Sequence, residues 1–270
     1  MIIIKNLSKS FKKKEILHNV NIELKNGVYG LLGENGAGKT TLMRCIAGLY
    51  NDYNGKISKD ADIIGYLPQA FDGLGELTVD ELLLYFSNMK GLNKKIIASE
   101  IDKVLEMVNL ADKKKEKMKC LSGGMRRRVG IAQTLLGTPK LIMYDEPTTG
   151  LDPKERIRFQ NIIAENKGNN NITIISTHIV SDIEYLSDRI IVMKEGKLLG
   201  DFSPVELARQ AEGKVYELSE TEYELVKSDV MLIKISQDVN ERIVRVMSDK
   251  EIIGKKVNAT VEDGYLWVSR

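Results

Sequence analysis

The feature that most constrains the fold is the glycine-rich run Gly33-Glu34-Asn35-Gly36-Ala37-Gly38-Lys39-Thr40, which follows the apolar segment Val28–Leu32. Glycines allow backbone N–H groups to approach an anion closely, and a helix that begins after such a run adds the positive end of its dipole. The pattern fits a phosphate-binding loop. In such a loop Lys39 reaches the β- and γ-phosphates and the Thr40 hydroxyl holds Mg²⁺.

The rest of the chain supports an α/β fold, because strand-like apolar runs alternate with helix-like stretches. The predicted strands are Ile2–Ile4, Val28–Leu32, Leu141–Tyr144, Ile172–Ile175 and Ile190–Met193. Three helix starts are marked by a capping side chain three residues ahead of a glutamate, at Thr78, Asp152 and Ser203. Between Thr78 and Gly137 no comparable strand occurs, which predicts a separate helical lobe.

The segment after Gly213 has a different sequence pattern from the rest of the chain. It contains three short β-like pieces, Met231–Ile235, Arg242–Met247 and Tyr265–Val268. We expect a small appended domain over residues 214–270, and the alternative is that these pieces extend the main sheet.

Composition removes several classes of protein. Apolar residues make up 43% of the chain and charged residues 29%, which excludes disordered and collagen-like chains. The net charge of +2 predicts no overall attraction to nucleic acid. The two cysteines, Cys45 and Cys120, indicate a reducing compartment rather than a disulfide framework. The apolar runs are shorter than the ~18 residues of a spanning helix, and the N-terminus lacks the pattern of an export signal.

Paired carboxylates form a second candidate site. The predicted strand Leu141–Tyr144 ends directly before Asp145 and Glu146, so a buried strand delivers two acids at its tip. Asp145 is placed to hold Mg²⁺, whereas Glu146 points elsewhere and can polarise an attacking water. Taken alone, a polar turn before Pro147 explains these residues equally well, but the phosphate loop favours the functional interpretation.

A third motif is Leu121-Ser122-Gly123-Gly124-Met125, followed by three arginines. Ser122 is a helix cap, and two glycines at a helix N-terminus suit an anion. Together the three motifs resemble the nucleotide-binding subunit of ABC transporters over about Ile2 to Gly213. By this resemblance they are Walker A, Walker B and the signature. Met125 departs from the usual glutamine, and the run Gly-Gly-Met-Arg-Arg-Arg is similar to the drug and peptide-antibiotic exporter branch.

The resemblance also implies an architecture. It implies a P-loop NTPase core of the RecA type with an antiparallel β subdomain and a helical subdomain over about residues 71–137. The nucleotide-binding domain then covers residues 1–213 and a small mixed α/β domain covers residues 214–270.

Site residues are implied in the same way. Gln69 resembles the Q-loop glutamine, His178 the switch histidine, Asp152 the D-loop aspartate and Phe11 an adenine-stacking aromatic. The implied ATP contacts are Phe11, Gly33, Asn35, Gly36, Ala37, Gly38, Lys39, Thr40, Thr41, Gln69, Ser122, Gly123, Gly124 and Asp152; Thr40, Gln69 and Asp145 hold Mg²⁺, and Lys39, Glu146 and His178 are catalytic.

Partners follow from the resemblance as well. Two copies are expected to pack head to tail, with each ATP between the Walker A loop of one chain and the signature of the other. A separate membrane permease is expected, which places the chain in the cytoplasm on the inner face of the membrane. A soluble ABC ATPase acting on ribosomes or nucleic acid is the leading alternative. A P-loop kinase or GTPase is a weaker one, since it does not need Ser122 or His178.

Overall fold

The structure is a computed structural model that divides into two compact units, Met1–Leu198 and Leu199–Arg270. It describes residues 1–61, 63–71, 74–168, 170–237 and 242–270. This division lies earlier than the boundary predicted after Gly213, because the helix Pro204–Arg209 packs against the helix Val261–Val268 near the C-terminus. Among the described residues, no helix has the length and apolar character needed to span a bilayer.

The first unit is built on a mostly parallel sheet. Its elements in chain order are β1 (Ile2–Phe11), β2 (Lys14–Leu24), β3 (Gly27–Leu32), α1 (Lys39–Ala47), β4 (Asn54–Lys59), β5 (Ile64–Leu67), α2 (Val79–Met89), α3 (Ile97–Met107), α4 (Gly123–Leu135), β6 (Leu141–Asp145), α5 (Pro153–Asn166), β7 (Ile172–Thr177), β8 (Arg189–Lys194) and β9 (Lys197–Phe202), the last of which continues into the second unit. The sheet order is β5-β6-β7-β3-β8-β9.

The parallel strands determine where the site lies. β5, β6, β7, β3 and β8 pair in parallel, and every residue of β6 and β7 is buried. The carboxyl ends of β3, β5, β6 and β7 therefore meet at one edge of the sheet, which is where open α/β sheets bind ligands. The predicted helix starts at Thr78, Asp152 and Ser203 are confirmed, since each side chain accepts a hydrogen bond from the backbone of the following Glu.

Two smaller assemblies flank this sheet within the first unit. β2, β1 and β4 form an antiparallel sheet, which provides the β subdomain. Between β5 and β6 the chain forms α2, α3 and α4, and apart from an isolated bridge between Thr78 and Lys117 its described residues form no strand. α3 and α4 each bury an apolar face, which includes Ile101 and Leu105 on α3 and Val129 and Ala132 on α4.

The second unit has a sheet of its own. Its elements are α6 (Pro204–Arg209), β10 (Val215–Ser219), α7 (Glu220–Val226), β11 (Met231–Gln237), β12 (Arg242–Met247), β13 (Lys255–Lys256) and α8 (Val261–Val268), with sheet order β11-β12-β10-β13. These strands do not extend the main sheet. The strand predicted at Tyr265–Val268 is wrong, because Thr260 and Asp263 form a capping box that starts α8 there.

Candidate functional site

The glycine-rich run forms the loop between β3 and α1. Gly36 and Gly38 have φ of +87° and +100°, in the left-handed region that glycine tolerates best. A Cβ on Gly38 would lie 3.0 Å from the side chains of Leu17 and Met193, whereas a Cβ on Gly36 would meet nothing within 4 Å. The loop is therefore packed from behind at Gly38 and open in front at Gly36, the shape needed to admit a phosphate chain.

Lys39, the first residue of α1, is buried beneath this loop. Its ammonium group donates to the carbonyls of Gly33 and Glu34 at 2.6 and 3.0 Å, and it lies 3.2 Å from the Oε1 atom of Glu146. One cation thus sits between the phosphate loop and a carboxylate at the end of β6. Gly33 also ties the loop to β7, because its N–H donates to the carbonyl of Thr177.

Asp145 is the last residue of β6 and is fully buried. Its Oδ1 atom accepts hydrogen bonds from the hydroxyls of Thr40 at 3.0 Å and Ser176 at 2.7 Å. Its Oδ2 atom accepts one from Tyr66 at 3.2 Å. Burial, reinforced by the charge of Asp145, raises the pKa of Tyr66 to about 12, so the phenol remains a donor. The Thr40 hydroxyl and the Asp145 carboxylate form an all-oxygen pair that fits Mg²⁺.

Glu146 is held in an unusual backbone conformation. Its φ is +48°, which costs a non-glycine residue ~1–2 kcal/mol. Its N–H group donates to both the carbonyl and the hydroxyl of Ser176, at 3.2 and 3.0 Å. Strained residues of this kind cluster at functional sites.

The Glu146 carboxylate has two different sides. Its Oε2 atom lies 2.9 Å from Nδ1 of His178 and accepts from the Thr149 hydroxyl at 3.2 Å. Its Oε1 atom is buried and makes no hydrogen bond to any described residue, the Lys39 ammonium lying outside hydrogen-bond geometry. The Lys39 charge offsets part of the cost of burying this oxygen, and its hydrogen-bonding capacity is left for a ligand or water. This atom is suited to contact a reacting water.

A cavity of about 530 Å³ opens in front of these groups. It is lined by Phe11, Lys14, Ile16, Asn35, Gly36, Gly38, Lys39, Thr40, Thr41, Gln69 and Glu146. Nine of these eleven residues are among the predicted site residues. Lys14 and Ile16 on β2 were not predicted, although Lys14 pairs directly with Phe11 across the β1–β2 ladder. Ala37 and Asp145 are next to lining residues in the sequence, but both are buried and neither is part of the lining.

Phe11 stands at the end of β1 with 40% of its surface exposed. Its ring meets Tyr50 edge to face at 5.3 Å between centroids, and the buried Lys9 ammonium lies 4.6 Å from its centre. The ring is thus held by its neighbours while part of it faces the cavity. This placement suits a stacking contact with a base better than burial in the small sheet.

The signature lies apart from this cavity. Ser122 caps α4, accepting from the N–H of Met125 at 3.2 Å, and both Ser122 and Gly123 are exposed. Asp152 caps α5 in the same way and is exposed. Among the described residues, those that line the cavity include neither the signature residues 122–124 nor Asp152. The structure therefore does not bring the signature to the phosphate loop of its own chain.

Comparison with known proteins agrees with this geometry. The family model described as ABC transporter matches residues 17–149. The bacitracin transport ATP-binding protein BcrA of Bacillus licheniformis is 35% identical over an alignment of 281 positions, which covers 96% of this chain and 89% of that protein. The lantibiotic transport ATP-binding protein SrtF of Streptococcus pyogenes is 37% identical over 210 residues, which cover 74% and 89%. A solved structure, cbiO1 of Clostridium perfringens, described as part of the ABC transporter complex cbiONQ, has 26% identity and a TM-score of 0.68, covering 76% of this chain and 89% of that chain.

This chain belongs to the ABC transporter family. Within it, the chain is an ATP-binding subunit, an ATPase whose hydrolysis is coupled to transport. The predicted family, the P-loop α/β fold and the ATPase activity are thereby confirmed. The competing interpretation, an ABC ATPase acting on ribosomes or nucleic acid, receives no support from these relatives.

Proposed function

We propose that ATP binds in the 530 Å³ cavity with its phosphates on the Gly33–Thr41 loop and its base against Phe11. The open front of Gly36 and the buried Lys39 ammonium support this placement. Thr40, Asp145 and Gln69 would hold Mg²⁺, which neutralises charge on the β- and γ-phosphates when bound. Of these three, Thr40 and Gln69 line the cavity and Asp145 lies hydrogen-bonded behind Thr40.

We propose that Glu146 is the general base for the attacking water. The observation that carries this role is the buried Oε1 atom, which faces the Lys39 ammonium but makes no hydrogen bond, while His178 orients the carboxylate from its other side. His178 holds the carboxylate and contacts the γ-phosphate, and Lys39 stabilises negative charge on the β- and γ-phosphates.

The site requires a second copy of the chain. Ser122, Gly123 and Gly124 present an exposed helix N-terminus, which suits an anion but lies outside the cavity lining. We propose that two copies pack head to tail so that this signature closes over the ATP of the partner, with Asp152 running across the interface. A single copy is then a poor ATPase.

The motion of this dimer would drive a separate membrane permease, and the chain would sit on the cytoplasmic face of the membrane through that partner. The named relatives act in bacitracin and lantibiotic transport. We propose accordingly that the transported substrate is a drug or a peptide antibiotic. Co-purification with a polytopic membrane protein supports this assignment, and a stable complex with soluble partners alone contradicts it.

The experiment that tests the catalytic proposal compares Glu146→Gln with the parental chain. We expect ATP turnover to fall by about 100-fold or more, because the base is lost while the shape of the side chain is kept. Size-exclusion chromatography with light scattering should show that the variant accumulates as an ATP-bound dimer. Glu165→Gln, at an exposed position on α5, serves as the control and should keep the parental rate. Parental turnover in Glu146→Gln contradicts the assignment.

A further inference from the structure

Arg127 lies on α4, five positions after the signature serine, and only 8% of its surface is exposed. Its Nη1 group donates to the carbonyls of Pro68 and Gln69, at 3.0 and 2.9 Å. These two residues directly follow β5, and the second of them lines the ATP cavity. One side of the guanidinium therefore holds the backbone of the Gln69 segment against the signature helix.

The other side of Arg127 holds the end of β6. Its Nη2 group donates to the carbonyls of Asp145 and Glu146, at 3.1 and 2.8 Å, and its Nε group donates to Pro147 at 3.0 Å. The bond to the Glu146 carbonyl falls at the residue whose φ is +48°. A conformation of that cost persists only when surrounding contacts enforce it, and Arg127 provides such a contact.

All five N–H bonds of this guanidinium are used, and each partner is a backbone carbonyl. A planar group with five fixed donors can meet carbonyls from two segments at once, whereas a lysine offers only a point charge with three rotating donors. The arrangement depends on the shape of arginine and not on its charge alone. It joins the helix that carries the signature to both segments that carry the chemistry.

We propose that Arg127 is a positioning residue that holds the backbone of Glu146 and of the Gln69 segment in fixed register with α4. It keeps the Glu146 carboxylate aligned for the attacking water and makes the signature helix and the catalytic segments move together. This inference rests on the proposed role of Glu146 as the base. It adds a residue that touches neither ATP nor the reacting water.

Arg128 provides a matched control on the same helix. It is also 8% exposed and also donates to backbone carbonyls, those of Val108 and Asn109, at 2.9 and 3.0 Å. Its Nε group lies 3.1 Å from a carboxylate oxygen of Glu155. Arg128 thus anchors α4 to the end of α3 and to α5, while Arg127 anchors it to the candidate active site.

The test compares Arg127→Lys and Arg128→Lys by steady-state hydrolysis of Mg-ATP and by hydrogen exchange. We expect Arg127→Lys to lower kcat by about 10- to 100-fold, since small misplacements of a reacting group have effects of this size. Its KM for ATP should stay within about twofold, because the phosphate loop is untouched. Amide exchange should quicken over residues 65–70 and 144–149. In Arg128→Lys, kcat should be maintained and exchange should quicken over residues 104–110 instead.

Parental kcat in Arg127→Lys overturns the proposal. Equal losses of kcat in both variants also overturn it, since they indicate general weakening of α4. The proposal is overturned as well if Arg127→Lys fails to fold while Arg128→Lys folds. If Glu146→Gln retains parental activity, the proposed base is wrong; if it is inactive and Arg127→Lys is not, only the positioning role fails. The exchange measurement needs no turnover and separates the two failures.

Discussion

The Nδ1 atom of His178 lies 2.9 Å from the Oε2 atom of Glu146, and this contact joins the ends of two neighbouring parallel strands, β7 and β6. Each residue immediately follows its strand, so the sheet itself sets their separation. The Thr149 hydroxyl donates to the same Oε2 atom, which leaves Oε1 facing Lys39. The histidine therefore fixes the rotamer of the carboxylate.

His178→Ala should lower kcat by about 100-fold while KM for ATP changes little, because the Glu146 carboxylate loses its main orienting partner. Steady-state turnover with varied ATP measures both constants. His18 is the other histidine of the chain and lies on β2 beside Glu15. His18→Ala is thus a natural control that should behave as the parental chain. A His178→Ala enzyme with normal kcat contradicts the role assigned to this contact.

Tyr66→Phe should weaken the use of Mg²⁺. The phenol donates to Oδ2 of Asp145, and loss of a hydrogen bond that orients a metal-binding carboxylate typically lowers metal affinity about 10- to 100-fold. Without it, the Mg²⁺ concentration at half-maximal turnover should rise by about tenfold or more. A titration with MgCl₂ at saturating ATP measures this value. Tyr85→Phe removes an exposed phenol on α2 and should leave the Mg²⁺ requirement unchanged. Equal requirements in all three proteins refute the prediction.

Lys90 predicts a pH dependence of stability. Its ammonium donates to the carbonyls of Gln133 and Leu136 at the end of α4, and burial lowers its pKa from 10.5 to about 8. The folded chain therefore releases this proton at a lower pH than the unfolded chain does. Between these two values the unfolded state binds more protons, so the free energy of unfolding should rise with pH.

Urea unfolding of the parental chain and of Lys90→Met at pH 7 and pH 10 tests this dependence. The parental free energy of unfolding should increase relative to that of the variant as the pH is raised through about 8. The variant lacks the Lys90 ammonium, so the pH dependence of its free energy of unfolding comes from all the other titrating groups. A constant difference between the two proteins across this range shows that Lys90 titrates normally.

Local signals predicted much of this fold. Capping residues at Thr78, Asp152 and Ser203 predicted helix starts correctly, because a cap acts within three residues of itself. The fully buried strands β6 and β7 were predicted because apolar residues dominate both of them. β2 and β4 were not predicted, since their exposed polar residues hide the strand pattern. At Tyr265–Val268 the aromatic and branched side chains favoured a strand, but the segment is helical because Thr260 caps the helix that begins before it.

The candidate site likewise contains residues that local sequence predicted and residues that it did not. The phosphate loop and the Asp145–Glu146 pair are each a contiguous run of sequence. The structure places the loop and Glu146 around one cavity and Asp145 behind Thr40. Ser176 and Arg127 were not predicted as site residues. Ser176 bonds to both acids from the neighbouring strand, and Arg127 reaches them from α4. These contacts depend on strand order and helix packing, which no local pattern of residues encodes.

The measurement that tests the central claim most directly is complementation between two inactive variants. Lys39→Met disables the phosphate loop. Gly123→Asp places a carboxylate at the signature, where a side chain meets nothing within 4 Å and can be accommodated. Each variant alone should lack ATPase activity. In a head-to-tail dimer, one chain of each kind creates one intact site, so an equal mixture should recover about a quarter of the parental activity.

A mixture of Lys39→Met with the double variant Lys39→Met/Gly123→Asp has no intact site and should remain inactive. If the Lys39→Met and Gly123→Asp mixture recovers activity and this control does not, ATP is hydrolysed between the phosphate loop of one chain and the signature of the other. If the mixture stays as inactive as its components, although both variants fold and associate, the shared site is contradicted.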